Sequence, residues 1–268
     1  MEIKIEKITS KQNQGIKNLI HLQKHNEREK QNVFVVEGLK ELEKAIHSGY
    51  RFESVYFLPE LISFENLQKL FNQSLPSNVY EVTADVFSKI AYRENSGGIV
   101  ALAVPKAHVI NELEVESKPL FLVIEGVEKP GNIGAIYRTA DAAGISGIII
   151  CDPKTDIYNP NTIRASLGCV FTVPTIITTS EKAILWLKKN DIKIYCTYLQ
   201  AAYPYHKVDY TQNSAIVMGT EATGISNVWI NSADANIIIP MRGMADSMNV
   251  STSAAVVLFE ACRQRDFL

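Results

Sequence analysis

Residues with hydrogen-bonding and charged groups are concentrated in three loops of the C-terminal half. The loops run from Glu125 to Arg138, from Met218 to Ser226 and from Ile237 to Arg265. Each has the same form, in which a strand ends, Gly, Asn, Arg or Glu follow, and a helical pattern then begins. In open α/β sheets, ligands bind where several such strand ends converge. The three loops together therefore predict one ligand site.

The residue types in these loops indicate which groups such a site could hold. Asn and Ser side chains can hydrogen-bond a hydroxyl, a phosphate or a loop backbone, and an Arg can hold a phosphate with two parallel bonds. Arg138 stands in the run AIYRTADAAG, where an arginine among apolar residues is unusual. It could also form a salt bridge with Asp141, or be a surface arginine whose stem covers apolar residues. Asn249 precedes a helical run and could equally be only its N-cap.

Three motifs, in this order, resemble those of the SpoU/TrmH-type (SPOUT superfamily) RNA ribose 2′-O-methyltransferases. They are GVEKPGNIGAIYRTADAAG from Gly126, VMGTEATGIS from Val217 and IPMRGMADSMNVSTSAA from Ile239. The resemblance runs from Leu120 to the C-terminus, and it is specific because all three motifs occur at family-like spacing. It implies a ribose 2′-hydroxyl of an RNA as the methyl acceptor and S-adenosylmethionine as the methyl donor.

The resemblance implies a role for eight residues of the three loops. The catalytic set is Arg138, Asn132, Glu221, Ser247 and Asn249. The cofactor-binding set is Gly219, Ile239 and Met248. We expect Glu221 to brace the loops by pairing with Arg138, and Gly219, which lacks a Cβ, to let the backbone approach the ligand. The alternatives are a surface glutamate for Glu221 and an ordinary core residue for Ile239.

Three positions in the motifs differ from the family pattern in their residue type or in the role we expect. The family's proposed role for its motif arginine is to help remove the hydroxyl proton. Because a guanidinium stays protonated in proteins, we expect Arg138 instead to clamp a phosphate and stabilise charge on the attacking oxygen. Lys129-Pro130 stands where many relatives have Asp-Pro, which leaves the substrate subgroup open. Met248 stands where Leu is common, a change that conserves side-chain volume.

The elements that carry these loops alternate between strands and helices. We predict strands at 120–125, 147–151, 192–199, 215–218 and 235–239, and helices at 132–143, 161–167, 181–190 and from 250. This alternation predicts an α/β domain with a mainly parallel sheet. The resemblance implies the SPOUT fold, which includes a C-terminal trefoil knot. The general rules of chain topology would argue against any knot. It also implies a homodimer with the site near the subunit interface.

The N-terminal part predicts a separate small α/β domain. Residues 8–30 predict one helix, and the rest predicts strands at 32–38, 54–58, 79–82 and 99–104 with helices at 39–47, 61–75 and 84–90. This part resembles, more loosely, the ribosomal-protein-like RNA-binding domain that precedes the methyltransferase domain in the family. We therefore predict a substrate-binding domain at 1–105, a linker at 106–119 and a SPOUT domain at 120–268.

Composition narrows the function classes without selecting one. The 268-residue chain has a net charge of −2, so RNA binding requires a local basic patch. Its four cysteines form no C-x-x-C pair and predict reduced core residues, and no histidine spacing predicts a metal site. The N-terminus has no signal-peptide core, and no apolar run is long enough to cross a bilayer. We therefore predict a cytoplasmic protein with no membrane or metal partner.

These patterns favour one function over two others. The preferred function is S-adenosylmethionine-dependent methylation of a ribose 2′-hydroxyl, with ribosomal RNA favoured by the N-terminal domain and transfer RNA second. The alternative is a non-catalytic RNA-binding or ribosome-assembly protein on the same fold, and the intact polar set argues against it. A nucleotide-binding enzyme lacks support, because the sequence contains neither G-x-G-x-x-G nor a G-K-[ST] loop.

Overall fold

The computed structural model describes residues 5–92, 96–110, 115, 117–201 and 203–267. The chain divides into two compact units. The first comprises Met1–Lys106 and Asp156–Thr172, and the second comprises Ala107–Thr155 and Val173–Leu268. In the predicted linker, residues 111–114 and 116 lie outside the described residues. No helix in the described ranges is both long and apolar enough to span a membrane.

The first unit is built, within the described residues, on a five-stranded sheet in the order β1-β4-β3-β5-β2. Its strands are β1 (Ile5–Ile8), β2 (Phe34–Glu37), β3 (Phe52–Phe57), β4 (Asn78–Val82) and β5 (Ile99–Ala103). Its first five helices are α1 (Gln14–His21), α2 (His25–Gln31), α3 (Leu39–His47), α4 (Phe64–Leu70) and α5 (Ala84–Ile90). β1, β4 and β3 run parallel, whereas β5 is antiparallel to β3 and β2. The predicted N-terminal α/β unit with its own sheet is confirmed.

The single helix predicted for residues 8–30 is wrong. The chain instead forms β1, then α1 and α2 with a turn between the two helices. The Arg28 guanidinium donates hydrogen bonds to the turn carbonyls of Leu22 and Gln23, at 2.8 and 2.7 Å. These bonds satisfy carbonyl groups at the end of α1, where intrahelical partners run out. The break therefore depends on a side chain six residues further on, which periodicity does not reveal.

The segment Asp156–Thr172, which sequence reasoning places in the C-terminal domain, groups with the first unit. It carries α7 (Pro160–Ala165) and α8 (Cys169–Thr172). Tyr158 stacks on Phe34 with ring centroids 4.1 Å apart, and Phe171 meets Tyr50 edge-on at 5.0 Å. Aromatic pairs of this geometry add stabilisation beyond the area they bury. The segment thus completes an aromatic part of the first unit's core.

Arg28 also ties this segment to α2. The side chain is buried, and its guanidinium forms an ion pair with Asp156 at 2.5 Å. Arg28→Met leaves the largely buried Asp156 carboxylate with only the exposed His25 ring, 2.8 Å away, as a side-chain partner, so we expect a loss of about 3 kcal/mol in the free energy of unfolding. Urea unfolding at neutral pH measures this loss. Lys30→Met, at an exposed position of α2, is the matched control and should cost less than about 0.5 kcal/mol. Equal losses of stability in the two variants would contradict a stabilising role for the Arg28–Asp156 ion pair.

The second unit contains, within the described residues, a seven-stranded sheet in the order β10-β12-β9-β11-β6-β7-β8. Its strands are β6 (Leu120–Glu125), β7 (Gly147–Cys151), β8 (Thr175–Thr178), β9 (Lys193–Thr197), β10 (Tyr203–Pro204), β11 (Ser214–Met218) and β12 (Ala235–Ile238). Its helices are α6 (Pro130–Ala143), α9 (Ser180–Lys189), α10 (Asn227–Ser232) and α11 (Val250–Gln264). Every described strand pair is parallel. The prediction of a mainly parallel sheet is confirmed, and the trefoil knot stays a prediction.

The core of the second unit explains why its central elements were predictable. β6, β7 and β11 are continuous apolar runs, as expected for strands covered on both faces. α6 ends at Gly144, whose φ of 60° is a left-handed conformation that suits glycine. All four cysteines of the chain are buried and free, as predicted. Sequence patterns missed β8, β10 and α10, which are only 4, 2 and 6 residues long.

Candidate functional site

The three loops identified in the sequence leave the second sheet at the carboxyl ends of parallel strands. The first follows β6, the second follows β11 and the third follows β12. β6 and β11 are neighbours, and β9 lies between β11 and β12. Because parallel strands all end at the same edge of a sheet, the loops emerge on one side. The convergence predicted from the sequence is therefore present.

Glu221 joins the three loops through hydrogen bonds. Its Oε1 accepts from Asn132 Nδ2 of the first loop at 2.6 Å and from Asn249 Nδ2 of the third loop at 3.0 Å. Its Oε2 forms an ion pair with Lys129 Nζ at 2.5 Å. Asn249 Nδ2 also donates to Asn132 Oδ1 at 3.2 Å. The structure thus brings three of the five predicted catalytic residues into direct contact, and we call this set, with Lys129, the Glu221 cluster.

Asn249 serves the helix and the cluster at the same time. Its Oδ1 accepts from the backbone N–H of Ser251 at 2.9 Å and from the Ser251 hydroxyl at 2.6 Å, which caps the N-terminus of α11. The other end of the same amide points to Glu221 and Asn132. The helix-cap explanation is therefore correct and does not exclude a role in the site. Capping fixes the direction in which the Nδ2 group points.

The environment of Glu221 stabilises its ionised form. The hydrogen bond from the Lys129 ammonium is the largest cause of a lowered Glu221 pKa, desolvation opposes it, and the Asn132 amide adds to the lowering. The expected pairing of Glu221 with Arg138 is not what the structure shows. Lys129 immediately precedes α6, whereas Arg138 lies in the third turn of that helix. The nearer cation of the same loop is the one that pairs.

The lowered Glu221 pKa predicts how stability depends on pH. A carboxylate with a depressed folded-state pKa stabilises the fold above its unfolded-state pKa, and this stabilisation is lost as pH falls through the folded-state value. We expect the stability difference between the wild type and Glu221→Gln to be constant at neutral pH and to shrink below the ordinary glutamate pKa of 4.5. Urea unfolding at a series of pH values measures this difference. A stability difference that does not change with pH would contradict a stabilising ionised carboxylate in the Glu221 cluster.

Arg138 and Ser247 are predicted catalytic residues outside the Glu221 cluster. Both are exposed, and in the described part of the chain neither has a hydrogen bond or ion pair. The salt bridge with Asp141 considered from the sequence is therefore not formed. Arg138 lies on the outer face of α6, while its neighbour Tyr137 is buried. The guanidinium and the hydroxyl are available to bind a ligand.

A cleft of ≈ 300 Å³ adjoins the cluster. Its size is at the lower end of the range of about 300–1,000 Å³ found for small-molecule sites. All three predicted cofactor residues line it, namely Gly219, Ile239 and Met248. Ser247 and Glu221 line it as well, and Met218 and Ile237 add apolar wall. The cleft and the cluster therefore form one continuous site.

Gly219 is required by the second loop itself. A Cβ at this position would lie 2.2 Å from the Gly224 carbonyl oxygen. The loop closes on itself through two backbone hydrogen bonds between Thr220 and Gly224, at 2.8 and 3.0 Å. The loop's own backbone therefore requires glycine here, and the expected close approach to a ligand stays a prediction. This closure places Glu221 in the site.

Residues 239–248, within the third loop, leave their backbone groups available. None of their N–H or C=O groups is hydrogen-bonded to another described residue. β12 ends at Ile238, so Ile239 lies outside the strand and is only half-buried, contrary to the alternative of an ordinary core residue. Residues 242–247 are exposed, so water can satisfy their backbone groups, whereas Ile239 and Met248 are half-buried in the wall of the cleft. The backbone donors and acceptors of the lining residues can therefore bind a polar ligand.

Sequence reasoning did not assign two parts of the site. Lys129 was noted only as a departure from the family pattern, although a lysine next to a polar loop was a usable signal. The loop after β9, with Tyr198, Leu199 and Gln200, also lines the cleft. That loop carries no motif, so no local signal pointed to it. The described residues contain no group of three or more His, Cys, Asp or Glu that could hold a metal ion.

Comparisons with known proteins identify a family and several related structures. Residues 119–259 match the SpoU rRNA methylase family, and residues 13–101 match the MRM3-like substrate binding domain. The chain is 28% identical over 255 residues to the 23S rRNA (guanosine(2553)-2′-O)-methyltransferase RlmP of Bacillus subtilis (strain 168), covering 95% of this chain and 98% of that protein. Since the first match spans more than half of the chain, the protein belongs to the SpoU rRNA methylase family.

Solved structures resemble the whole chain. The crystal structure of an RNA 2′-O ribose methyltransferase has a TM-score of 0.83 at 35% identity, covering 97% of this chain and 99% of its own. An AdoMet-bound rRNA methyltransferase from Sinorhizobium meliloti has a TM-score of 0.88 at 29% identity, covering 97% and 98%. The α/β architecture with a SpoU domain after an N-terminal domain is thereby confirmed.

Proposed function

We propose that this protein methylates a ribose 2′-hydroxyl of ribosomal RNA with S-adenosylmethionine as the methyl donor. The observation that carries the proposal is the joining of Asn132, Glu221 and Asn249 beside a cleft that contains every predicted cofactor residue. Family membership supports the reaction, and a relative named as a 23S rRNA methyltransferase supports the substrate class. Transfer RNA is the second candidate substrate.

The cleft fits S-adenosylmethionine. Its apolar side chains suit an adenine ring, and the free backbone groups of residues 239–248 suit the polar edges of the nucleoside and the amino acid. Gly219, Ile239 and Met248 would hold the cofactor. An AdoMet-bound structural neighbour supports the choice of cofactor. When bound, S-adenosylmethionine supplies an electrophilic methyl group on a sulfonium.

The protein's own residues would orient the RNA and polarise its hydroxyl. Arg138 would hold a phosphate through two parallel hydrogen bonds and stabilise negative charge on the attacking oxygen. Ser247 and Asn132 would hydrogen-bond the hydroxyl or the phosphate. Glu221 is unsuited to accept the hydroxyl proton, because Lys129 and two amides already engage its carboxylate. Its role would be to hold the three loops in fixed positions relative to one another.

The first unit would bind the RNA substrate. Its match to the MRM3-like substrate binding domain supports this role. Lys24 and Lys30 are exposed beside α1 and on α2, and they contribute local positive charge in a protein whose net charge is −2. Phosphate contacts from such residues supply affinity without sequence preference. The two matched segments, 13–101 and 119–259, support the proposed sequence domains at 1–105 and 120–268 with a linker at 106–119, and residues 156–172 of the second domain group with the first unit in the structure.

We also propose that the protein is a cytoplasmic homodimer with a trefoil knot in its second unit. Leu199, Tyr203 and Phe259 of that unit are 59%, 58% and 42% exposed, and such apolar groups support an association surface. A ribosomal RNA substrate supports the cytoplasmic location. Sedimentation of the purified protein tests the dimer, and a single species at the mass of one 29.9 kDa chain would contradict it.

The direct test is transfer of labelled methyl from S-adenosylmethionine to unmodified ribosomal RNA, large ribosomal subunits and transfer RNA. We expect incorporation into ribosomal RNA, with resistance to alkaline cleavage at the modified nucleotide. Incorporation only into transfer RNA would replace the substrate class. Absence of both methyl transfer and cofactor binding by calorimetry would instead favour the non-catalytic RNA-binding protein.

A further inference from the structure

Lys129 is a charged residue of the site to which neither the motifs nor the proposed function assigns a role. Its side chain is 70% exposed, yet its ammonium lies 2.5 Å from Glu221 Oε2, whose side chain is 29% exposed. An isolated surface ion pair of this kind contributes little to stability. Fold stability therefore does not explain why this ion pair lies next to two predicted catalytic amides.

The two oxygens of Glu221 have different partners. Oε1 receives the amides of Asn132 and Asn249, and Oε2 receives Lys129. A glutamate side chain has three rotatable bonds, and its terminal torsion is broad. With only one oxygen engaged, the carboxylate could rotate and offer either oxygen in several orientations. The ammonium on Oε2 fixes the plane of the carboxylate and hence the direction in which Oε1 accepts.

The fixed carboxylate controls residues on two other loops. The Oδ1 atom of Asn249 caps α11, which fixes the position of the side chain. Its Nδ2 group therefore reaches Glu221 only if the second loop holds the Glu221 carboxylate in its present position. Asn132 lies in the first turn of α6 and is held by the same oxygen. A small displacement of such polar groups can reduce a reaction rate strongly, because catalysis by orientation depends on sub-ångström placement.

We infer that Lys129 is a positioning residue for methyl transfer, which acts through Glu221 to hold Asn132 and Asn249 in their working orientation. This inference rests on the proposed function. It differs from a direct contact between Lys129 and an RNA phosphate, which would alter RNA affinity and its salt dependence.

The test is a double-mutant cycle of Lys129→Met and Glu221→Gln, measured by steady-state methyl transfer to the RNA identified above. We expect Lys129→Met to lower kcat about tenfold in the wild-type background, with little change in KM for RNA. In the Glu221→Gln background the same change should lower kcat by less than about twofold, because residues that act as one unit are non-additive. Lys129→Arg, which keeps the charge, should recover most of the lost kcat.

A second readout does not depend on activity. Selective ¹³C labelling of glutamate, with Glu221→Gln to assign the signal, measures the Glu221 pKa in the free protein. We expect the pKa to rise toward the ordinary value in Lys129→Met and to stay unchanged in Lys188→Met, an exposed lysine of α9 that serves as the matched control. An unchanged pKa in Lys129→Met would overturn the inference.

The outcomes separate this inference from the proposed function. A wild type that methylates no RNA overturns the proposed function and this inference with it. An active wild type whose kcat is unaffected by Lys129→Met overturns this inference alone. Additive losses in the two single variants, or an increase in KM at constant kcat, would assign Lys129 to RNA binding instead of positioning.

Discussion

Arg138→Ala should reduce kcat for methyl transfer by at least about 100-fold, the loss typical when one preorganised donor to a developing oxyanion is removed. The structure gives the reason for expecting a specific effect. Arg138 is exposed on α6 and makes no ion pair with another described residue, so its removal leaves no buried charge behind. Stability and cofactor affinity should therefore match the wild type. Methyl-transfer kinetics, urea unfolding and calorimetry with S-adenosylmethionine measure the three quantities.

Arg138→Lys is the informative control. It keeps the positive charge but loses the planar fork that can hold a phosphate with two parallel bonds. We expect its kcat to stay close to that of Arg138→Ala. A lysine variant with most of the wild-type turnover would show that a point charge is sufficient, and it would contradict the bidentate clamp.

Gly219→Ala should weaken S-adenosylmethionine binding and destabilise the second unit. The added Cβ would lie 2.2 Å from the Gly224 oxygen and 2.5 Å from the Ile225 nitrogen, so backbone must move on the facing side of the loop. Overpacking of this kind costs about 1–3 kcal/mol. Because the cleft includes both Gly219 and Gly224, we expect the cofactor Kd to rise at least about tenfold, equivalent to about 1.4 kcal/mol. Calorimetry and urea unfolding measure the two effects.

Gly131→Ala is the matched control for this variant. A Cβ at Gly131 has no atom within 4 Å, and the residue lies inside α6, where alanine is favoured over glycine. Its stability should equal or slightly exceed that of the wild type. Equal behaviour of the two alanine variants would mean that the second loop adjusts without cost, and that Gly219 is not required for its closure.

The sequence contained enough local information for the elements that position the site. β6, β7 and β11 are strongly apolar runs, and the glycine at position 144 marks the end of α6. Asn249 could be identified as a helix cap because capping depends on neighbouring residues alone. These features are determined within a few residues of the chain, which is the range over which periodicity and turn chemistry act.

The features that the sequence did not reveal depend on distant contacts. The break between α1 and α2 is completed by Arg28, which also pairs with Asp156, 128 residues away. The choice of Lys129 over Arg138 as the partner of Glu221 depends on how β6 and β11 lie side by side. The family resemblance pointed to Arg138 as the partner, and Lys129 was noted only as a departure from the family pattern. Only the three-dimensional arrangement of the loops could select between them.

The discontinuity of the first unit has a consequence for synthesis on the ribosome. Phe34 and Tyr50 are made early, but their aromatic partners Tyr158 and Phe171 emerge more than a hundred residues later. The first unit therefore cannot complete its core until β6, α6 and β7 of the second unit have already been translated. Domains usually fold in the order of their synthesis. Here the N-terminal unit must wait with an apolar aromatic surface uncovered, so the two units finish folding as interleaved events.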